Sequence, residues 1–234
     1  MDFSGMEKLS LLDFDDNITC TLFFAGCNMR CPYCHNAALV IPGMKPAFIP
    51  WDDIKSFLEK RKNVLDAVCV SGGECTLMPD LLEKLGEIKE LGYKIKLDTN
   101  GSRPEILKLA VEQGLVDYVA MDIKNSPEKY MKTCGLEQEG AVDLEKIRES
   151  IRLIMEKAPD YEFRTTVVAE FHEASDFEEM GKMIAGAKNY FLQSFTDRDT
   201  VPFEGFHAPD PSDLGSYAEI MRKYVENVQV RGVE

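Results

Sequence analysis

The range of possible folds is narrowed first by a repeated alternation of short apolar segments with longer amphipathic ones. Six segments have the length and composition of buried β-strands: residues 19–25, 65–70, 93–97, 116–121, 161–168 and 190–195. The segments between and after them place apolar residues three and four positions apart, which is typical of helices with one buried face. Strands that alternate with helices favour a parallel sheet with right-handed crossovers. Six units are too few for a closed eight-stranded barrel, so we predict an α/β fold, an open partial (β/α)6 barrel with parallel strands.

Composition limits the domain count and the class of partner. With 234 residues and 44% hydrophobic content, we expect one domain over residues 1–234. No stretch of the sequence approaches the 18 unbroken apolar residues of a membrane-spanning helix. The first ten residues also lack the basic start and apolar core of a secretory signal. We therefore expect a cytoplasmic protein without a membrane partner. The net charge of -14, with residues 60–62 as the only compact basic run, argues against nucleic acid as a ligand.

Polar motifs follow four successive predicted strands at the point where each strand ends. These motifs are Cys27–Cys34, Gly72–Glu74, Asp98–Gly101 and Asp122–Lys124. Ligands of open parallel sheets collect beyond the carboxyl ends of the strands, where these motifs would meet. Their coincidence at one edge predicts a binding site there more strongly than any one motif does.

The first of these motifs has the character of a metal-binding loop. Cys27, Cys31 and Cys34 are spaced by three and then two residues directly after a predicted strand, so one compact centre could take all three thiols. A cubane of four irons normally takes four cysteines, and three thiolates would leave one iron open to a substrate or cofactor. A Cys3His zinc site with His35 is an alternative, although adjacent ligands depart from the usual spaced pairs. Disulfides are disfavoured by the odd total of seven cysteines and the expected reducing compartment.

The other motifs each have a structural explanation beside the functional one. Gly72 and Gly73 would let the backbone approach a small polar ligand closely, but a simple turn explains them equally well. Asp98 and Asp122 could hold an ammonium group, a ribose hydroxyl or a cation, or could cap helices. Lys124 suits a carboxylate, and could also be a solvated surface lysine.

Taken together, the motifs resemble a known superfamily. The spacing of the three cysteines, with Tyr33 before the third, and the later Gly72-Gly73-Glu74 resemble the radical S-adenosylmethionine (radical SAM) enzymes. Within that superfamily, residues 8–14, 26–28 and 31–36 look like the branch that activates glycyl radical enzymes. The likeness is greatest to the activating proteins of anaerobic ribonucleoside-triphosphate reductase. It covers nearly the whole chain and is strongest over residues 8–101 and 192–195.

The resemblance assigns roles to individual residues of this chain. Three irons of a 4Fe-4S cluster would be ligated by Cys27, Cys31 and Cys34, and the amino and carboxylate groups of S-adenosylmethionine would chelate the fourth iron. The implied cofactor-binding residues are Tyr33 near the adenine, Gly72, Gly73 and Glu74 at the methionine amino group, Asp122 and Lys124 at the ribose and carboxylate, Asp98 and Thr99 where some relatives hold a monovalent cation, and Gln193. The last residue stands on the sixth predicted strand, where pyruvate formate-lyase activases have a histidine.

The resemblance also implies a reaction. A reduced cluster would cleave S-adenosylmethionine, and the resulting 5'-deoxyadenosyl radical would abstract hydrogen from a glycine of a partner glycyl radical enzyme, namely anaerobic ribonucleoside-triphosphate reductase. A flavodoxin- or ferredoxin-type protein would donate the electron. We expect no acid–base catalytic residue, because the cofactor supplies the chemistry. The alternatives are a radical SAM enzyme acting on a small molecule or a peptide, an activase of another glycyl radical enzyme such as pyruvate formate-lyase, and a zinc- or cluster-bearing binding module.

The remaining four cysteines are predicted to take no part in the site. Cys20 and Cys69 lie in apolar segments, where a free thiol behaves as a small hydrophobic residue. We expect no functional role for Cys134 either. Cys75 directly follows the Gly-Gly-Glu motif, where the resembling enzymes usually have a proline. We expect Cys75 to be a spectator and not a fourth ligand.

Overall fold

The computed structural model describes residues 3–40, 47–136 and 142–232. Its strands are β1 (Phe3–Ser10), β2 (Thr19–Phe24), β3 (Ala67–Gly72), β4 (Lys94–Thr99), β5 (Tyr118–Asp122), β6 (Tyr161–Val167), β7 (Asn189–Ser194) and β8 (Asn227–Arg231). Its helices are α1 (Ala37–Val40), α2 (Trp51–Arg61), α3 (Leu81–Glu90), α4 (Pro104–Glu112), α5 (Tyr130–Thr133), α6 (Leu144–Lys157), α7 (Ala174–Met183) and α8 (Pro211–Met221). Within these described ranges, no helix is both long and apolar enough to cross a bilayer.

All eight strands belong to one sheet, and their order in the sheet is their order in the chain. From β2 to β8 every neighbouring pair is parallel, whereas β1 pairs with β2 in the antiparallel sense. Because β1 and β8 do not pair with each other within the described residues, the barrel is open between them. The predicted open barrel of parallel strands is confirmed, and the carboxyl ends of β2 to β7 meet at one edge.

Two strands were not predicted from the sequence. The six predicted segments correspond to β2 through β7, with ends that differ by a few residues. β1 was missed because it is an edge strand with half-exposed, partly charged residues, and only its antiparallel pairing with β2 makes it a strand. β8 follows the last helix, has only five residues, and extends the parallel sheet beyond β7.

The two faces of the sheet differ in polarity. On the outer face, residues such as Ile95 and Val119 are fully buried in one apolar core against the helices. On the inner face, β4 and β6 present charged side chains, and the buried Lys96 and Glu162 form an ion pair at 3.4 Å. Side chains of a strand alternate between the two faces of the sheet. Strands such as β4 and β6 therefore contribute apolar side chains to the core and charged side chains to the barrel interior. This interior leads to the polar strand ends.

Candidate functional site

One cavity of about 210 Å³, open to solvent, lies at the carboxyl ends of the parallel strands. It brings together residues from the loop after β2 and from the ends of β3 through β7. Eleven of the twelve residues predicted for the site line it: Cys27, Cys31, Tyr33, Cys34, Gly72, Gly73, Asp98, Thr99, Asp122, Lys124 and Gln193. The expectation that the strand-end motifs meet is therefore met by the geometry.

The cysteine loop is fixed by backbone hydrogen bonds on both sides. Gly26, with φ +114°, turns the chain out of β2, and its N–H donates to the carbonyl of Leu39 at 2.8 Å. The N–H of Arg30 donates to the carbonyl of Cys134 at 2.8 Å, which docks the turn after α5 against the loop. A positive φ is a conformation that glycine adopts without strain, so this position favours glycine. The loop thus holds its three thiols against the cavity.

The three thiols have different surroundings. The sulfur of Cys27 accepts the N–H of Met29 at 3.3 Å, and burial raises the pKa of its thiol to about 12. Burial likewise raises the pKa of Cys34. A hydrogen bond from the thiol of Cys134 lowers the pKa of Cys31 despite burial, and the same bond raises the pKa of Cys134. Cys134 therefore contacts a predicted ligand, although no role was predicted for it from the sequence.

The loop fits an iron–sulfur cluster better than a zinc ion. The Nε2 atom of His35 hydrogen-bonds the carbonyl of Thr196 at 2.7 Å, and its ring stacks on Phe195 with centroids 5.4 Å apart. Among the described residues, no three His, Cys, Asp or Glu side chains are arranged to hold a single metal ion. A cluster requires instead that thiolates on one cavity wall each reach a different iron. The donor set of three thiols bordering one cavity meets that requirement.

The two glycines at the end of β3 are required by packing. A Cβ atom at Gly72, whose φ is +116°, would lie 2.5 Å from backbone atoms of Phe24, and one at Gly73 would collide with the carbonyl oxygen of Gly26. The carbonyl of Gly72 also accepts the side-chain amide of Asn36 at 3.1 Å. Both glycines also line the cavity. The residues that allow the close packing against β2 and Gly26 would therefore also let the backbone approach a ligand closely.

Glu74 is the one predicted residue that does not line the cavity in the described chain. Its carboxylate is fully buried and accepts hydrogen bonds from the hydroxyls of Thr76 at 2.5 Å and Thr99 at 2.8 Å and from the N–H of Asn100 at 2.6 Å. Burial raises the pKa of this carboxyl, and the hydrogen bonds oppose that rise. The side chain thus ties the end of β3 to the end of β4.

A largely buried arginine organises the acidic side of the cavity. The guanidinium of Arg164 pairs with Asp122 at 2.6 Å and with Asp98 at 3.1 Å, and Lys124 pairs with Asp122 at 2.8 Å. Burial raises the pKa of the Asp122 carboxyl, but the two cations outweigh it and hold that pKa well below its usual range. Asp122 is therefore ionised throughout the neutral range.

Asp98 offers an unused acceptor to a ligand. Its Oδ2 atom accepts the hydroxyl of Ser71 at 2.8 Å and the guanidinium of Arg164. Its Oδ1 atom is buried and has no hydrogen-bond partner among the described residues. A buried acceptor without a partner is costly. A hydroxyl or ammonium group in the cavity would satisfy it, which agrees with the polar groups of S-adenosylmethionine.

Another part of the cavity wall is aromatic and amide-bearing. Tyr33 is buried and packs against Phe171 and Phe195, with ring centroids 5.6 and 6.5 Å away. Gln193, on β7, lines the cavity beside Thr166, its register partner on β6. This wall could contact a flat base.

Arg164 and Thr166 line the cavity but were not predicted from the sequence, and Asn100 was predicted only as part of the Asp98–Gly101 motif, without a role of its own. Arg164 is a single charge inside an otherwise uncharged stretch, residues 163–168, and that anomaly was a usable signal. The thiol of Cys75, for which we expect no ligand role, is buried and donates to the carbonyl of Ser71 at 2.9 Å, and Cys75 does not line the cavity in the described chain.

Comparisons with known proteins find a matching family model and a relative that covers nearly the whole chain. A family model described as Radical SAM superfamily matches residues 21–184. A protein of Methanocaldococcus jannaschii, named as a candidate glycyl-radical enzyme activating enzyme, is 32% identical over 235 residues, which cover 98% of this chain and 95% of that protein. The pyruvate formate-lyase-activating enzyme of Clostridium pasteurianum is 32% identical over 158 residues, 63% of each chain.

Solved structures share the fold. Streptococcus suis SuiB bound to the precursor peptide SuiA superposes with a TM-score of 0.69 at 14% identity, covering 92% of this chain and 48% of SuiB. The anSMEcpe structure with bound AdoMet gives a TM-score of 0.61 at 17% identity and covers 86% of this chain and 57% of that one. The chain thus spans about half the length of these structures. At such identities, the likeness concerns the fold alone.

Proposed function

The chain belongs to the radical SAM superfamily, and we propose that it is an activating enzyme that generates a glycyl radical on a partner enzyme. The observation that carries this proposal is the meeting of three thiols with the polar ends of successive parallel strands in one cavity. The full-length similarity to the M. jannaschii protein supports the activating role. We assign the whole activity to one domain over residues 1–234, since the strands follow each other in a single sheet.

Members of this superfamily use a 4Fe-4S cluster and S-adenosylmethionine. Here Cys27, Cys31 and Cys34 would hold the cluster through three irons. When bound, these two groups supply one-electron cleavage of a sulfonium and a carbon radical able to abstract hydrogen. The task of the polypeptide is to hold the reacting atoms in position and to keep water away from them.

The cavity residues divide the work of binding the cofactor. The backbone at Gly72 and Gly73 would receive the methionine amino group, and the free Oδ1 acceptor of Asp98 would take a donor from the ligand. Asp122 and Lys124, already paired, would orient toward ribose and carboxylate. The remaining assignments are Tyr33 beside the adenine, Gln193 facing the cofactor, Thr99 with Asp98 near a monovalent cation, and Glu74 through its backbone, since its carboxylate is engaged elsewhere.

The partner proposed is anaerobic ribonucleoside-triphosphate reductase. Gln193 on β7 lines the cavity where pyruvate formate-lyase activases would present a histidine, and this difference favours a different partner. The second candidate is pyruvate formate-lyase, favoured by the 32% identity to the C. pasteurianum enzyme over 63% of the chain. We propose a flavodoxin- or ferredoxin-type protein as the electron donor.

The test is anaerobic reconstitution of the protein with iron and sulfide, followed by reduction and incubation with S-adenosylmethionine. Each candidate partner is then added in turn, and electron paramagnetic resonance is used to detect a glycyl doublet. We expect the doublet with the reductase and not with pyruvate formate-lyase. The Cys27→Ala variant serves as the control without a complete cluster. Cleavage of S-adenosylmethionine that yields only a small-molecule or peptide product, with no radical on either partner, would refute the activating role.

A further inference from the structure

Asn100 occupies an unusually constrained position directly after β4. It is buried, with 5% of its surface exposed. Its N–H donates to the Glu74 carboxylate at 2.6 Å, and its side-chain carbonyl accepts the N–H of Ser102 at 3.0 Å. These two bonds fix the backbone and the side-chain orientation of Asn100, so its amide nitrogen has a defined direction.

That nitrogen points to the cysteine loop. The Nδ2 atom of Asn100 donates to the side-chain carbonyl of Asn28 at 3.0 Å and also contacts the sulfur of Cys27 at 3.8 Å. Asn28 in turn donates to the hydroxyl of Ser102 at 2.9 Å. The end of β4 and the cysteine loop are therefore joined through side-chain amides, although 73 positions separate Asn100 from Cys27.

The sulfur of Cys27 consequently has two N–H donors. The backbone N–H of Met29 approaches it at 3.3 Å from within the loop, and the amide of Asn100 approaches from β4. Hydrogen bonds to the sulfurs are among the determinants of the reduction potential of an iron–sulfur cluster. A donor that points at a ligand sulfur stabilises the more negative, reduced form.

We propose that Asn100 is a positioning residue for the cluster: its side-chain amide binds the sulfur of Cys27, fixes that ligand against β4 and raises the reduction potential of the bound cluster. This inference rests on the proposed assignment of Cys27 as a ligand. It concerns the cluster alone and makes no use of the partner enzyme. A failure of the glycyl-radical assay would therefore leave it unaffected.

The direct test is the Asn100→Asp variant. Aspartate keeps the volume and the oxygen that accepts the N–H of Ser102, but it replaces the donor to Cys27 with a negatively charged oxygen. In a redox titration at alkaline pH, without S-adenosylmethionine, the ratio of reduced to oxidised cluster at a fixed potential should fall at least tenfold, which corresponds to about 59 mV for a one-electron couple.

The matched control is Asn17→Asp, which introduces the same charge near the opposite end of β4, where Asn17 accepts a hydrogen bond from Lys94 at 3.3 Å. It should shift the potential far less than Asn100→Asp does. Equal shifts in the two variants would overturn the proposal, because the change in net charge would then explain both. No shift in Asn100→Asp would overturn it as well, because the amide would then have no influence on the potential.

A second measurement is made first on the wild type, so its main result does not depend on the folding of Asn100→Asp. Wild-type protein is produced with asparagine labelled with 15N in the side chain, and the reduced cluster is examined by pulsed electron paramagnetic resonance. A 15N coupling is expected because the amide of Asn100 hydrogen-bonds a ligand sulfur, and its loss in Asn100→Asp assigns it. Absence of the coupling in the wild type would refute the hydrogen bond. Cluster loss in Cys27→Ala separately checks the ligand assignment.

Discussion

Replacement of Arg164 by methionine should destabilise the protein strongly, because this arginine neutralises the acidic wall of the cavity. Its guanidinium contacts Asp122 at 2.6 Å and Asp98 at 3.1 Å, and only 16% of its side chain is exposed. Removing one partner of a buried ion pair costs about 3–5 kcal/mol, since the other charge is left uncompensated. Lys124 still pairs with Asp122 in the variant, so we expect the lower end, about 3 kcal/mol.

The pH dependence tests the cause of this loss. The folded-state pKa of Asp122 lies below its unfolded value, chiefly because Arg164 and Lys124 overcome the effect of burial. Its contribution to stability is therefore present above the unfolded pKa of about 3.9 and is lost as the pH falls toward the folded pKa. At about pH 3, the difference between wild type and Arg164→Met should shrink by roughly 1 kcal/mol, from 1.36 kcal/mol per pKa unit.

Urea unfolding followed by circular dichroism at about pH 7 and about pH 3 measures both quantities. The matched control is Arg222→Met, because Arg222 is a half-exposed arginine paired with Glu219 on the surface of α8, where we expect a loss below about 1 kcal/mol. Adding Asp122→Asn to Arg164→Met should recover part of the loss. The reasoning fails if Arg164→Met costs no more than the control, or if its cost is the same at both pH values.

Three further results are expected. The reconstituted wild type should bind roughly four irons per chain, and Cys27→Ala should bind far fewer. Cys75→Ala should match the wild type in iron analysis. An equal loss of iron in both variants would contradict the proposed ligand set. In Gly73→Ala the added Cβ would collide with the carbonyl of Gly26. We therefore expect the free energy of unfolding to fall by about 1–3 kcal/mol and S-adenosylmethionine binding to weaken in equilibrium dialysis. Unchanged stability would argue against that contact. Burial lowers the pKa of His172, so the wild type should lose stability as the pH falls below about 6.5, by up to about 1.4 kcal/mol per pH unit. The His172→Gln variant should lack this part of the pH dependence. If its pH profile of stability equals that of the wild type, His172 is not the cause.

The central strands could be predicted because their signals are local. Six apolar segments bounded by helices are visible within short windows, and each corresponds to one of β2 to β7. The edge strands could not be predicted in the same way. β1 has half-exposed residues, and its strand character comes from pairing with β2. β8 depends on β7, which is separated from it by a helix. Pairing across the chain carries no signal in a local window.

The cysteine spacing and the polar strand ends were sufficient to predict which elements border the cavity, because the carboxyl ends of parallel strands share one edge whatever the details of packing. The directions of the side chains were not accessible in this way. Glu74 turns away from the cavity into a buried network, Arg164 reaches across to Asp98, and Asn100 meets Cys27. Each of these contacts joins residues from different strands or loops. They depend on strand register and on the packing of neighbouring elements, which are set only when the strands assemble into the curved sheet.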